Sequence, residues 1–261
     1  MAHPVTTVRR DGIHEITLDC PKANAIDVAT SRALYDAFAA FEADPQARVA
    51  ILTGAGDRFF SAGWDLKAAE QGEAVDADHG PGGFAGLTEF HQRRKPVIAA
   101  VNGLAVGGGF ELALACDIIL ASDHAQFFLP EPTLGIVADS GGVLRLPRVL
   151  PRALATRMLL TGERLSAAQA LQHGLLSEVT TPDALLPAAR ALARTICAAA
   201  PLAVAATRAI LAGTAHLSVE EGYRAMRAGA FPAYQAMLAS RDSLEGARAF
   251  AEGRAPVWEG H

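Results

Sequence analysis

An α/β fold is predicted for this chain by three observations: short, largely apolar strand-like runs recur upstream of Pro182, each lies near a glycine-rich turn and a helical segment, and beyond that point the sequence becomes alanine-rich and helical. With 261 residues, 51% of them hydrophobic, the chain can fill one large α/β domain plus an accessory element. The expected division is 1–195 for the core and 196–261 for a C-terminal helical region.

The first element is a β-hairpin, because Val5 to Arg10 and Ile13 to Asp19 flank Asp11-Gly12, a two-residue turn signal. From Asp27 to Ala43 the apolar residues Val28, Leu34, Phe38 and Phe41 recur at helical spacing, and Asp44-Pro45 ends the run. Val49 to Thr53, Val97 to Val101 and Cys116 to Ala121 are runs of the kind that a parallel sheet buries on both faces. Gln126 to Leu129 and Ser177 to Thr180 read as further short strands. Glu70 to Gly86, rich in Gly, Asp and Glu, reads as a surface loop or lid whose acids are solvated charge. Ser218-Val219-Glu220-Glu221 is a capping-box pattern ahead of a long helix reaching Ala239. That helix carries Tyr223, Met226, Phe231, Tyr234, Met237 and Leu238, more apolar surface than so short a segment buries alone. Packing on the main domain or on another subunit is expected.

A net charge of −5 without a lysine or arginine block argues against a nucleic-acid surface. The apolar runs are far shorter than the roughly 20 residues of a membrane helix, so no membrane partner is expected. Met1 to Asp19 shows no apolar signal-peptide core, which makes the cytoplasm the expected location. Cys20, Cys116 and Cys197 are odd in number and widely spaced, as for reduced thiols buried as small hydrophobes. Neither GAGDRF nor GGGFEL completes GxGxxG, no P-loop is present, and Ser140 lacks a GxSxG elbow. The eight histidines form neither HExxH nor a cluster with cysteine, so no metal is expected.

The chemistry concentrates between Pro96 and Glu131. Gly107-Gly108-Gly109 closes a strand-like run and Phe110 to Ala115 opens as a helix, leaving backbone N–H groups unpaired with the positive end of the helix dipole behind them. Such a turn suits an oxyanion, and bare glycine lets a carbonyl approach the backbone. Glu111 stands one short step into the helix, and Glu131, after Pro130, is the second candidate acid/base group. Within Phe59 to Leu66, the small Ala62 and Gly63 let a ligand lie along the chain. The N–H of Trp64 is therefore the candidate second donor, beside that of Gly108, in an oxyanion hole suited to a thioester carbonyl and its enolate. Plainer readings stay open: Glu111 as a carboxylate favoured by the helix dipole, Glu131 as a surface charge, Trp64 and Phe84 as packing residues.

These residues resemble the crotonase superfamily, also called the enoyl-CoA hydratase/isomerase family. The likeness runs through Pro21-Lys22-Ala23-Asn24-Ala25-Ile26, Ser61 to Leu66, Lys95 to Gly103, GGGFELALACD and LPEPTLGIVADSGGVLRLP, almost the whole chain. PKANAID, FFSAGWDLKAA and GPGGFAGLTE resemble in particular its carnitinyl-CoA dehydratase subgroup. The resemblance implies a spiral of repeated ββα units with a C-terminal helical oligomerisation region. It also implies a hydro-lyase, a homotrimer or dimer of trimers, and coenzyme A present as part of the substrate with no permanently bound cofactor. On this likeness Glu111 holds and activates the water at the β-carbon, Glu131 exchanges the α-proton, and Trp64 and Gly108 form the hole. Lys22, Ala23 and Ala25, with Ala62, Gly63, Asp65 and Leu66, match positions that line the coenzyme A groove.

Phe250 matches a family phenylalanine that reaches the coenzyme A of a neighbouring subunit. Gly253 stands where family members often carry a lysine, with Arg254 one residue on as the alternative phosphate ligand. Asp139 is either a residue beside the acyl pocket or an ordinary N-cap. A carnitine-type substrate carries a trimethylammonium group, which calls for aromatic faces or distant carboxylates, and Trp64 and Phe84 are the candidate cage. A general enoyl-CoA hydratase, an enoyl-CoA isomerase and a non-catalytic acyl-CoA-binding subunit are the alternatives.

Overall fold

In the computed structural model, which describes residues 3–260, strands Val5–Arg10 and Ile13–Leu18 pair antiparallel across the Asp11-Gly12 turn. From Ile13–Leu18 onward the same sheet is parallel, with Val49–Gly54, Val97–Val101, Ile118–Ser122 and Glu178–Thr180 following in order. A second sheet is ordered Leu165–Ser166, Gln126–Phe128, Leu104–Val106 and Phe59–Ser61, and a third pairs Ala25–Ile26 with Gly63–Trp64. The chain repeatedly gives one strand to the first sheet, one to the second and then a helix. The three rounds are Val49–Gly54, Phe59–Ser61 and Leu66–Glu70; Val97–Val101, Leu104–Val106 and Gly108–Ala115; Ile118–Ser122, Gln126–Phe128 and Gly142–Val149. This is a spiral of ββα units.

Burial explains the apolar runs. Every residue of Val49–Gly54 and Val97–Val101 is buried, as strands covered on both faces require. The Val28–Ala43 helix turns Leu34, Phe38 and Phe41 inward, and Asp27 caps it by accepting the Thr30 N–H at 2.7 Å.

Several expectations shift. The strand expected from Cys116 begins at Ile118, because Cys116 instead closes the preceding helix, its N–H donating to the Ala113 carbonyl. The three cysteines are half-buried rather than buried. The helix expected from Ser218 to Ala239 is two, Val219–Arg227 and Pro232–Ala239, separated where Gly229 takes φ 75° and Pro232 brings no N–H to continue the ladder. The Glu70 to Gly86 segment is no simple surface lid: residues 82–86 are buried, and the Ala85 N–H donates to Ser31 Oγ at 3.0 Å.

By contacts the chain divides into two units, one running through Gln92 and resuming from Val97 to Ala193, the other comprising Arg93–Pro96 and the described residues from Arg194. In the second unit Phe231 is buried against Gly213, and Arg208 donates to the Arg93 carbonyl. The Asp242 carboxylate takes the N–H groups of Glu259 and Gly260 at 2.8 and 2.9 Å. No single helix among the described residues is long and apolar enough to cross a membrane.

Candidate active site

Gly107 positions both glutamates. It takes φ 53°, a backbone geometry that L side chains rarely adopt, and its N–H donates to the Phe128 carbonyl at 2.9 Å. Its carbonyl accepts the N–H groups of Phe110 and Glu111 at 2.8 and 3.0 Å, which starts the Gly108–Ala115 helix and fixes Glu111 in its first turn. A Cβ on Gly107 would lie 2.6 Å from Glu131 Oε1. Bare backbone is what lets the second carboxylate close on the helix start that carries the first. Glu131 arrives from the parallel strand Gln126–Phe128, through Pro130 into a single 3₁₀ turn, Glu131–Leu134.

Both carboxyl groups are buried, Glu111 to 3% exposure and Glu131 to 6%. Burial raises the Glu111 pKa from 4.5 to about 8; the Gly142 N–H, donating to Oε1 at 2.7 Å, opposes the rise, while Glu131 and Asp139 add to it. Burial likewise raises Glu131 to about 6, its own backbone N–H opposing and Asp139 adding. Glu131 Oε2 is buried and makes no hydrogen bond within the protein.

The Gly108 N–H belongs to the first turn, where backbone donors have no intrahelical acceptor. Gly63 packs directly on it: a Cβ there would lie 2.7 Å from the Gly108 nitrogen and 2.6 Å from the Val106 carbonyl oxygen. Trp64 follows Gly63 on the strand paired with Ala25–Ile26. Trp64 thus reaches the cavity one residue from the glycine that packs on Gly108, and the two candidate donors come from separate elements.

A cavity of about 350 Å³ gathers Trp64, Phe84, Gly108, Glu111, Glu131 and Asp139. Phe84 stands edge-on to His79 with centroids 5.1 Å apart, and its ring lies against Gly108, where a Cβ would come within 2.4 Å of it. Asp139 is a cavity residue and not the helix cap, since Gly141 caps Gly142–Val149 at φ 115°.

The remaining candidates lie outside that lining. Ala62 donates its N–H to the Ala23 carbonyl at 2.9 Å, Ala25 lies opposite Gly63, and Asp65 caps Leu66–Glu70 by accepting the Lys67 N–H at 2.9 Å. Lys22 and Leu66 are exposed. Phe250 sits on the Asp242–Glu252 helix, 89% exposed. Arg254 is not poised for a phosphate: its guanidinium is engaged by Glu245 and Glu252.

Other lining residues went unnoticed in the sequence: Asp76, Asp78, His79 and Glu89 on one side, Ile136, Val137 and Ser140 on another. For Asp76, Asp78 and His79 the signal was the acidic, glycine-rich composition of residues 70–86; the others carried none. His79 is tied through Nδ1 to Ser31 Oγ at 2.9 Å, and burial lowers its pKa below 6.5, so its ring is neutral near pH 7. Glu73 was read as solvated charge but accepts the Trp64 indole N–H. Among the described residues no group of three or more His, Cys, Asp or Glu side chains is arranged to hold a metal.

Chemically, adjacent backbone donors at a helix start stabilise charge developing on a carbonyl oxygen. Two buried carboxyl groups with pKa values on either side of neutrality supply one acid and one base near pH 7.

The profile of the enoyl-CoA hydratase/isomerase family matches residues 8–261. A carnitinyl-CoA dehydratase of Salmonella arizonae is 59% identical over 261 residues, covering all of both chains. Among solved structures, an enoyl-CoA hydratase from Mycobacterium tuberculosis superposes with a TM-score of 0.90 at 42% identity over 99% of each chain. A carnitinyl-CoA dehydratase from Mycobacterium avium superposes with a TM-score of 0.78 at 44% identity over all of both.

Proposed function

This chain belongs to the enoyl-CoA hydratase/isomerase family and is a hydro-lyase of acyl-CoA thioesters; from that premise we propose that its substrate pair is carnitinyl-CoA and crotonobetainyl-CoA, with Glu111 and Glu131 as acid and base. The observation that carries the mechanism is the pair itself, two buried carboxyl groups on one cavity with pKa values of about 8 and about 6.

In the dehydrating direction the thioester oxygen accepts the N–H groups of Trp64 and Gly108. Ionised Glu131 removes the α-proton and the electron pair moves into the enolate held by those donors. The enolate then collapses to the alkene as the β-hydroxyl leaves, taking the proton of Glu111 to depart as water. Glu131 ends protonated and Glu111 ionised. Hydration is the reverse: Glu111 draws a proton from water as the oxygen bonds the β-carbon, and Glu131 returns its proton to the α-carbon. At neutral pH these two pKa values favour the protonation state from which dehydration starts.

The carnitine assignment is supported by the full-length relatives bearing that name and by Trp64 and Phe84 on the cavity wall. The strand pair Ala25–Ile26 and Gly63–Trp64, with Lys22, Ala23, Ala62, Asp65 and Leu66 beside it in the chain, is proposed to hold the coenzyme A. A cytoplasmic homotrimer or dimer of trimers is part of the same proposal; exposed Leu211, Tyr223, Leu244 and Phe250 support the assembly. The test is to offer crotonobetainyl-CoA and crotonyl-CoA side by side and identify products by mass, with Glu111→Gln and Glu131→Gln as controls. Faster hydration of crotonobetainyl-CoA, reduced about 10²–10⁴-fold in each variant, is the expected result. Faster hydration of crotonyl-CoA overturns the carnitine assignment, and alkene migration without uptake of water makes the protein an isomerase.

A further inference from the structure

The walls of the cavity carry Asp76, Asp78, Glu89 and Asp139 besides the two catalytic glutamates, and no lysine or arginine among the described residues lines it. Asp76 and Glu89 make no ion pair with any lysine or arginine of the described residues. Asp78 is partly committed, with Oδ2 3.9 Å from Arg32 and Oδ1 accepting the Gly80 N–H at 2.8 Å. The nearby Arg145 donates to the carbonyls of Ser140 and Thr88 and keeps its positive charge, which also acts on Glu111, but this one cation is outnumbered by the acids of the wall. The uncompensated charge on this wall is therefore negative.

The wall is built rather than accidental. Glu89 folds back over the loop: its N–H donates to the Gly82 carbonyl at 2.8 Å, and a Cβ on Gly83 would lie 2.8 Å from Glu89 Oε1. Independently, Glu131, only 6% exposed, faces the same cavity with an oxygen that no protein donor satisfies, so the exposed Asp76, Asp78 and Glu89 border a ligand site.

We propose that Asp76 and Glu89, seconded by Asp78, are specificity-determining residues that select an acyl group ending in a quaternary ammonium, a step that rests on the acyl-CoA hydro-lyase reading. A trimethylammonium has no proton to donate, so it gains nothing from the precise acceptor geometry a primary amine would demand. It is held instead by the field of nearby carboxylates and by aromatic faces. Neither group need touch the reacting carbons. The charge acts on which acyl group enters, and the glutamates act on the bond.

The test is equilibrium binding of a non-reactive pair, 4-(trimethylammonio)butanoyl-CoA and its uncharged isostere 5,5-dimethylhexanoyl-CoA, to the full chain and to the Asp76→Asn/Glu89→Gln double variant by calorimetry. The unaltered protein is expected to bind the cationic thioester about tenfold or more tightly than the isostere, and the double variant to lose about tenfold of that ratio, allowing for partial exposure of both acids. Circular dichroism of the double variant verifies that its fold is intact. An unaltered protein that binds both thioesters equally, or a ratio that the double variant leaves intact, overturns the inference. Because both probes are saturated, these outcomes do not depend on turnover; the hydro-lyase reading fails separately, by absence of water addition to an enoyl thioester.

Discussion

The indole N–H of Trp64 donates to Glu73 Oε1 at 2.8 Å, and the other oxygen of that carboxylate accepts the Val28 N–H at 3.0 Å. One acid thus ties the segment after Leu66–Glu70 to the proposed oxyanion strand and to the first turn of the Val28–Ala43 helix, where a negative charge meets the positive end of the dipole. Glu73→Ala is expected to raise KM about three- to tenfold with a smaller effect on kcat, because it loosens a wall rather than removing a reacting group. Trp64 emission should shift to the red as the indole loses its partner. Glu73→Gln keeps an acceptor for the indole and should recover most of KM. An unchanged KM and emission in Glu73→Ala would show that the tether does no positioning.

Gly107→Ala puts a side chain at φ 53° and a methyl 2.6 Å from Glu131 Oε1. The backbone strain costs about 1–3 kcal/mol, and the displaced base lowers kcat by about 10²-fold or more. Gly174→Ala is the control, since φ there is 79° with nothing within 4 Å of the added methyl. It should lose stability and keep activity, and steady-state rates beside melting curves separate the two effects.

The rate of dehydration should be bell-shaped in pH. Glu131 must be ionised, which holds above about 6, and Glu111 protonated, which holds below about 8. A profile of kcat/KM against pH that stays flat from pH 5 to 9 would refute the assignment of the two roles.

Stability should fall with rising pH through the same residues. Each glutamate has a folded pKa above its unfolded 4.5, so the folded state binds the proton more tightly. The stability this contributes is full below 4.5 and is lost as pH climbs through about 6 for Glu131 and about 8 for Glu111. Glu111→Gln, which can still accept the Gly142 N–H, should therefore be more stable than the unaltered protein at pH 9 by roughly 2–4 kcal/mol, with little difference at pH 5. Urea midpoints at the two pH values check the sign.

Elements whose cause is local were legible in advance. The Asp11-Gly12 hairpin, the Asp27-capped helix and the buried strands Val49–Gly54 and Val97–Val101 follow from turn chemistry, capping and unbroken apolar runs. Local pattern failed where one residue serves two elements, as at Cys116, which is apolar enough for a strand yet closes a helix. It failed again at Glu73, whose surroundings in sequence are loop-like and whose partners lie 9 and 45 residues away.

By itself the sequence determined the α/β class and the family resemblance, and it singled out Glu111, Glu131 and the glycines beside Glu111 as the candidates, because these rest on residue types and on local patterns that can be read along the chain. Only the tertiary structure decided what those residues face. The approach of Gly63 to Gly108, the pressing of Glu131 against Gly107, and the gathering of Asp76 and Glu89 on the same cavity all join segments distant in sequence. Burial, which raises both glutamate pKa values, is likewise a property of the packed spiral and not of any one segment.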